Sequence, residues 1–395
     1  GLAMFSLKSS SLLDFDEQTN LERENLKSVY GIEGVCSDTH LRRVLDSHKS
    51  EPIRACFSNR FGDLQRTGLL KEYEYKIGSI PYLIVSCDGV QHFSSKRISC
   101  PCCLERKHRN GRITYHHNML CAALVHPEKR EVFMMDTEAI IQQDGTTKND
   151  CELNAAKRLF SHMESDYEDF SEQYNFLVVE DALYANVPHL RKLQQMNYSF
   201  IVNVKPDSHK SLFAHIEGRR LRNQTQKRSI KKDGFTHRFE WVNNIPLNNT
   251  DQEFRINFLY YEQIDPKGKK TTFTWVTDIA LRANRVWSVM KAGRARWKIE
   301  NETFNTLKNL GYHFEHNYGH GKDHLCTTLA HLMFLAFYID QFVQACSKTF
   351  QQLERNIRTK IKLWNTLKAV FQTIPCKSMD FIYRQIAKLF SIQLE

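Results

Sequence analysis

The sequence has 395 residues, enough for two or three domains, and its 41% hydrophobic and 25% charged content is ordinary for a soluble globular protein. A formal net charge of +10 fits an anionic partner, while composition alone leaves DNA, RNA and membrane surfaces open. No apolar run approaches the roughly 18 residues needed to span a bilayer; the longest, Leu329 to Phe342, contains His331, Asp340 and Gln341 and reads as a buried helix.

From Ser10 to Phe61 the chain is polar and helical in pattern. Asp38 and Thr39 are placed to cap a helix through Leu41, Val44 and Leu45, whose outer side carries Arg42, Arg43, His48 and Lys49. This is either a small DNA-binding unit or a solvated helical face. A strand-rich block follows. Ile80 to Cys87 is short, apolar and rich in β-branched residues, and stops at Asp88-Gly89. Met119 to Val125 and Val132 to Met135 read as two more strands around a turn at His126 to Lys129. A helix is expected from Asp150, with Leu153, Ala156, Leu159 and Phe160 on one face. Phe176 to Val179 is a fourth strand ending at Glu180-Asp181, Pro188 to Met196 a short helix, and Phe200 to Val204 a fifth strand. Three strands, a helix, a strand, a helix and a strand is the order of an RNase-H-like α/β core.

The stretch from Lys205 to Arg238 is basic, with Lys205, Lys210, Arg219, Arg220, Arg222, Lys227, Arg228, Lys231 and Lys232, and is the best candidate for DNA backbone contact. Strand-like segments at His237 to Val242, Phe254 to Tyr261 and Thr271 to Val276 make a β-rich insertion. Trp241 and Trp275 within it read as core, with base stacking the alternative. A helical region runs from near Asn284 to Leu310, and the remainder is helical and basic. The expected organisation is a helical N-terminal DNA-binding region (1–76), a first core part (77–205), the basic insertion (206–280), the final catalytic helix (281–325) and a helical C-terminal region (326–395). The fold class is therefore α/β, an RNase-H-like mixed sheet flanked by helices.

Acidic residues at strand ends carry the functional reading. Phosphodiester chemistry needs an activated water or 3′-hydroxyl and a stabilised leaving oxygen, which two Mg²⁺ ions held by carboxylates supply. Asp88 and Asp181 close the first and fourth strands, which are neighbours in this topology; each alone is equally an ordinary turn residue. At ~100° per residue, Trp297, Phe304 and Leu307 share one face of the late helix. Glu300 falls within that face and Glu302 opposite it, so Glu300 is the expected third carboxylate. Its alternative is a structural ion pair with Arg296 or Lys308. Arg296 and Lys308, one and two turns from Glu300, are placed for phosphate, with Arg294 and Asn301 close to the same face.

These residues resemble a known family. Arg294 to Gly321, RARWKIENETFNTLKNLGYHFEHNYGHG, resembles the third catalytic block of DDE transposases of bacterial insertion sequences. CDGVQHFSS (Cys87 to Ser95) is similar to the first Asp block and VVEDALYANVP (Val178 to Pro188) to the second; DCELNAAKRL (Asp150 to Leu159) is similar too. The resemblance covers roughly Tyr82 to His331. It implies a metal-binding triad of Asp88, Asp181 and Glu300, Mg²⁺ or Mn²⁺, and cleavage and strand transfer on double-stranded DNA. Terminal inverted repeats and target DNA would be the substrates, and a homodimer would form in the DNA complex. Two departures stand out. The related signature has a Tyr where this chain has Gly293, and its Lys falls where this chain has Leu307, one residue before Lys308. The missing Tyr leaves a hairpin pathway open to question. A structure-specific nuclease and a non-catalytic DNA-binding derivative are the rival readings.

Eleven scattered cysteines and no export signal fit a reducing cytoplasm, and the initial Gly fits a processed, truncated or tagged start. Cys100, Cys102, Cys103, His108, His116, His117 and Cys121 match zinc-ligand spacing only loosely, through Cys100 and Cys103; reduced cysteines in a loop and a buried strand is the favoured reading. His313, His316, His320 and His324 are expected in a turn packed beneath the active site, with one or two of them touching DNA or orienting Glu300; metal ligation is the less favoured alternative.

Overall fold

The computed structural model describes residues 1–141 and 152–394. The expected helix start at Asp150 therefore lies outside the described residues; the helix is seen over Glu152–Asp166. Among the described residues eleven strands form one sheet: β1 Tyr75–Ile77, β2 Ile80–Ser95, β3 Leu104–Lys107, β4 Ile113–Val125, β5 Phe133–Ile140, β6 Phe176–Glu180, β7 Ser199–Asn203, β8 Gln226–Lys232, β9 Phe235–Pro246, β10 Arg255–Ile264 and β11 Lys270–Thr277.

The centre of the sheet runs β5-β4-β2-β6-β7, with β2 antiparallel to β4 and parallel to β6. This is the RNase-H-like arrangement. Tyr82 to Cys87 is buried throughout, as expected of a strand flanked on both edges and covered on both faces. The β-rich segment is not a separate layer: β11 pairs with β7 and carries β10, β9 and β8 outward. The short β1 and β3, the edge strand β8 and the helix Lys210–Leu221 were not evident in the sequence, where brevity or charge hides the hydrophobic period.

Among the described residues one helix, Leu325–Cys346, is long and apolar enough by length and composition to cross a membrane, and most of it is buried against β5 and the helices Leu2–Ser6, Asp38–Ser47 and Glu51–Arg66. Asp38–Ser47 is capped by Ser37, whose hydroxyl accepts from His40 N, and not by Asp38 or Thr39. Arg42 on that helix is not a free surface cation, because it donates to the Tyr318 carbonyl.

The same helix supplies Asp46, whose carboxylate accepts the backbone N–H groups of Lys322, Asp323, His324 and Leu325 at 2.8–3.0 Å. It caps Leu325–Cys346 from another element. Burial opposes the charge, but these four donors outweigh it and hold the carboxyl down at about 2. A folded-state pKa below the ordinary Asp value of about 3.9 gives stability that is present in full above that value and is lost as pH falls through about 2. Asp46→Ala should cost about 1–2 kcal/mol at pH 7, a figure reduced for solvent screening. Melting curves of both proteins from pH 7 to pH 3 check this: the gap should begin to close below about pH 4, and a gap independent of pH would refute the account.

Candidate active site

Sheet register brings the first two acids together. Pairing of β2 with β6 ends at Ser86 opposite Val179, and two further residues on each chain are Asp88 and Asp181. Asp88 does not end its strand. β2 continues on β4 to Ser95, with Asp88 opposite Cys121, whereas β6 stops at Glu180. The acid thus stands where β2 loses its parallel neighbour, a rigid position with one open edge. Ser86, on the same face as Asp88, donates its hydroxyl to the Arg296 carbonyl at 2.8 Å and ties this face to the late helical region. Asp181 accepts from Leu183 N at 2.8 Å, so it also serves as the turn residue it resembles in the sequence.

The late helical region is not one regular helix. Val286–Arg294 is α-helical, Ile299–Phe304 is a π-type turn, and Asn305–Asn309 returns to α. A π-turn places residues at a different angular step, so the uniform wheel fails. Trp297 is 40% exposed, and the buried residues from 299 to 309 are Ile299, Thr303, Phe304, Thr306 and Leu307. Glu300 is exposed and not embedded in the apolar stripe. Helical periodicity therefore does not single it out. Its link to Asp88 is electrostatic: Glu300 and Asp181 both push the Asp88 carboxyl up. Neither expected ion-pair partner engages Glu300, since Arg296 pairs with Asp88 at 2.8 Å and Lys308 with Glu315 at 3.0 Å. Glu302 pairs with Arg130 at 3.5 Å.

Burial raises the Asp88 carboxyl above its usual range; Arg296 and the Gly89 N–H offset this in part, and Asp181 and Glu300 push it further up. A fourth acid, Glu152, joins them. Its carboxyl is raised by burial and then by Asp88 and Asp181, and it accepts from the Tyr184 hydroxyl at 3.4 Å. Gly89 makes room for it: a Cβ there would lie 2.7 Å from Glu152 Oε1. Glu152 lies within the DCELNAAKRL block, but nothing in the sequence singles it out: an acid in the first turn of an amphipathic helix reads as ordinary N-terminal charge. Behind the site, Glu180 is fully buried and bonded to His189 at 2.7 Å.

Four carboxylates against one guanidinium is an arrangement short of positive charge, and hard oxygen donors suit Mg²⁺ or Mn²⁺. Among the described residues, the groups with three or more donor atoms all within 4.8 Å of one another are made of Cys and His.

The expected DNA-contacting residues fall into two groups. Arg294, Asn301, Arg222, Lys231 and Lys232 are exposed. Arg294 also lies over the Phe273 ring, and Lys232 over Trp287. Both of those cations line a groove of about 480 Å³ with Lys291 and Lys298. Arg220 is held by Glu240 and Glu217, Arg219 bonds Gln224, and Arg296 is largely buried on Asp88. The exposed charge of β8 also blunts a free sheet edge, a structural reason for the same residues. Trp241 and Trp275 are buried, as core packing requires. Trp275 explains Gly293: a Cβ at that position would lie 2.8 Å from the indole Nε1 and 3.1 Å from Ile201 Cγ2, so no Tyr fits there.

A sheet of this order, with Asp88 partway along β2 and Asp181 just beyond β6, defines the RNase-H-like fold class. A family model described as the transposase DDE domain matches residues 94–337, and the chain belongs to that family. The matched segment includes Asp181 and Glu300, and Asp88 lies just before it. Among solved structures, a cryo-EM structure of a piggyBac transposase synaptic complex with hairpin DNA is similar at 13% identity and TM-score 0.40, covering 100% of this chain and 76% of that one. No curated protein matches.

Proposed function

We propose that this transposase-family chain cleaves DNA at transposon ends and joins the freed end to target DNA, with Asp88, Asp181 and Glu300 as its catalytic, metal-holding acids. The observation that carries the reading is the β2/β6 register, which sets two acids distant in sequence side by side and within electrostatic reach of Glu300. Mg²⁺ or Mn²⁺ held by these acids would supply the activation of the attacking oxygen and the neutralisation of the leaving one. Arg296 pairs with the Asp88 carboxylate, fixes it in place and partly offsets the cost of its charge. Glu152 adds negative charge at the side of Asp88 and Asp181. Arg294, Asn301, Lys308, Arg222, Lys231 and Lys232 contact phosphate, and Arg219 and Arg220 brace the same surface. The working assembly is a homodimer on double-stranded DNA carrying terminal inverted repeats.

The test uses duplexes carrying the repeats that flank the chain's own gene, with Mg²⁺, and a second set already cut at the 3′ end, offered with a target plasmid. Nicks in the first and joined product in the second are expected. Nicks without joining would make the protein a nuclease, and DNA binding with neither product would make it a non-catalytic derivative.

A further inference from the structure

We propose that Cys100, Cys103, His117 and His320 bind one structural zinc ion, separate from the acidic site. Four donors from three distant parts of the chain meet here: the β2–β3 connection, β4, and the segment between Asn305–Asn309 and Leu325–Cys346. The spacings are 3.8 Å between the two Sγ atoms, 3.4 and 3.3 Å from these to His117 Nε2, 3.3 Å from Cys103 Sγ to His320 Nε2, and 3.2 Å between the two Nε2 atoms. The sixth pair is within 4.8 Å. Ligands about 2.0–2.3 Å from one ion at tetrahedral angles lie about 3.3–3.8 Å from each other. The side chains thus already have the edges of a zinc tetrahedron. A disulfide is not an alternative at this geometry, because it needs sulfurs about 2.05 Å apart.

The surroundings agree. Cys103 N donates to the Cys100 carbonyl at 3.1 Å and Cys100 N lies 3.4 Å from Cys103 Sγ, a tight turn that aims both sulfurs the same way. His320 Nδ1 bonds the Gly321 carbonyl at 2.9 Å. That bond requires the proton on Nδ1 and leaves the Nε2 lone pair for a metal, the usual arrangement of an outer partner. Cys103, His117 and His320 are buried, and two sulfurs with two imidazoles select zinc over Mg²⁺. Of the other residues weighed with them in the sequence, His108 bonds Thr114 and Cys121 lies in β4 opposite Asp88. His92 and Cys326 form a second grouping around His117, but that set offers three donors and the first offers four. The ion would fasten β4 and the β2–β3 connection to the segment that follows the Glu300 turn, so that segment is held in place without touching the acids.

Metal analysis of the purified full-length protein decides the matter. One zinc per chain is expected, and after exchange with Co²⁺ the visible bands of a tetrahedral thiolate–cobalt centre. Cys100→Ser and His320→Ala should each lower the zinc content at least tenfold, whereas Cys102→Ser and His92→Ala should keep it. Wild-type protein that purifies without zinc and gives no thiolate–cobalt band would overturn the proposal, even if the variants fail to fold. Full zinc in a Cys100→Ser/Cys103→Ser double variant would overturn it too, as would zinc retained by His320→Ala and lost from His92→Ala.

Discussion

Asp88→Asn is expected to reduce DNA cleavage by on the order of 10³-fold or more while leaving the fold intact. The acid sits at the junction where β6 stops and β2 goes on, so its position is fixed by a sheet and not by a loop. Burial and the charges of Asp181 and Glu300 make its ionised form costly, which raises its carboxyl above the usual range. A raised carboxyl pKa means that the ionised group lowers stability at neutral pH, so removing the charge should hold or raise the Tm. Asparagine is the informative replacement. Its side-chain oxygen still accepts from Arg296, whereas Asp88→Ala would leave a guanidinium only 12% exposed without its partner. Metal linkage gives an independent readout. Mg²⁺ should raise the Tm of the wild type by binding the folded state, and raise that of Asp88→Asn much less. Undiminished metal-dependent cleavage by Asp88→Asn would remove this residue from the mechanism.

The parts of the site visible in the sequence were those set by strand burial. IPYLIVSC and FLVV are apolar runs ending in acids, and parallel pairing of their interiors brings those ends together whatever the details of the strand limits. Glu300 was reached by a helical wheel that the π-turn over Ile299–Phe304 invalidates. A turn of that kind has no compositional mark, and only its neighbours in space reveal which acid faces Asp88. Glu152 was hidden for a similar reason, since its role follows from the Gly89 backbone against which it packs. The zinc-ligand set is legible only in part, through Cys100, Cys103 and His117. Its fourth donor is 203 residues from its third in sequence, and spacing rules recognise only ligands that come in local pairs. Gly293 shows the reverse case, where a departure from a family pattern gains a cause once Trp275 is seen beneath it.

The second large effect lies far from the acids. Asp340 interrupts the most apolar helix of the chain, and Lys8 explains how it is tolerated. Lys8 Nζ lies 2.6 Å from Asp340 Oδ2, with the two side chains 4% and 9% exposed. The ammonium also donates to the Ser6 carbonyl at 3.1 Å and lies over the rings of Tyr312 and Trp364 at 4.3 and 4.4 Å, while the Tyr312 hydroxyl donates to the same carboxylate. Burial still lowers the Lys8 pKa despite Asp340, so desolvation outweighs the partner's attraction. Such a pair adds little net stability when intact and costs much when half is removed. Lys8→Met should therefore destabilise the protein by about 3–5 kcal/mol, because Asp340 is left charged with only a tyrosine hydroxyl. Lys8→Met/Asp340→Leu should recover most of the loss, since both charges leave the core together. Urea unfolding of the wild type, both single variants and the double variant measures the coupling. A Lys8→Met loss below about 1 kcal/mol, or a double variant as unstable as the sum of the singles, would show that the N-terminal segment is not anchored to Leu325–Cys346 through this charge pair.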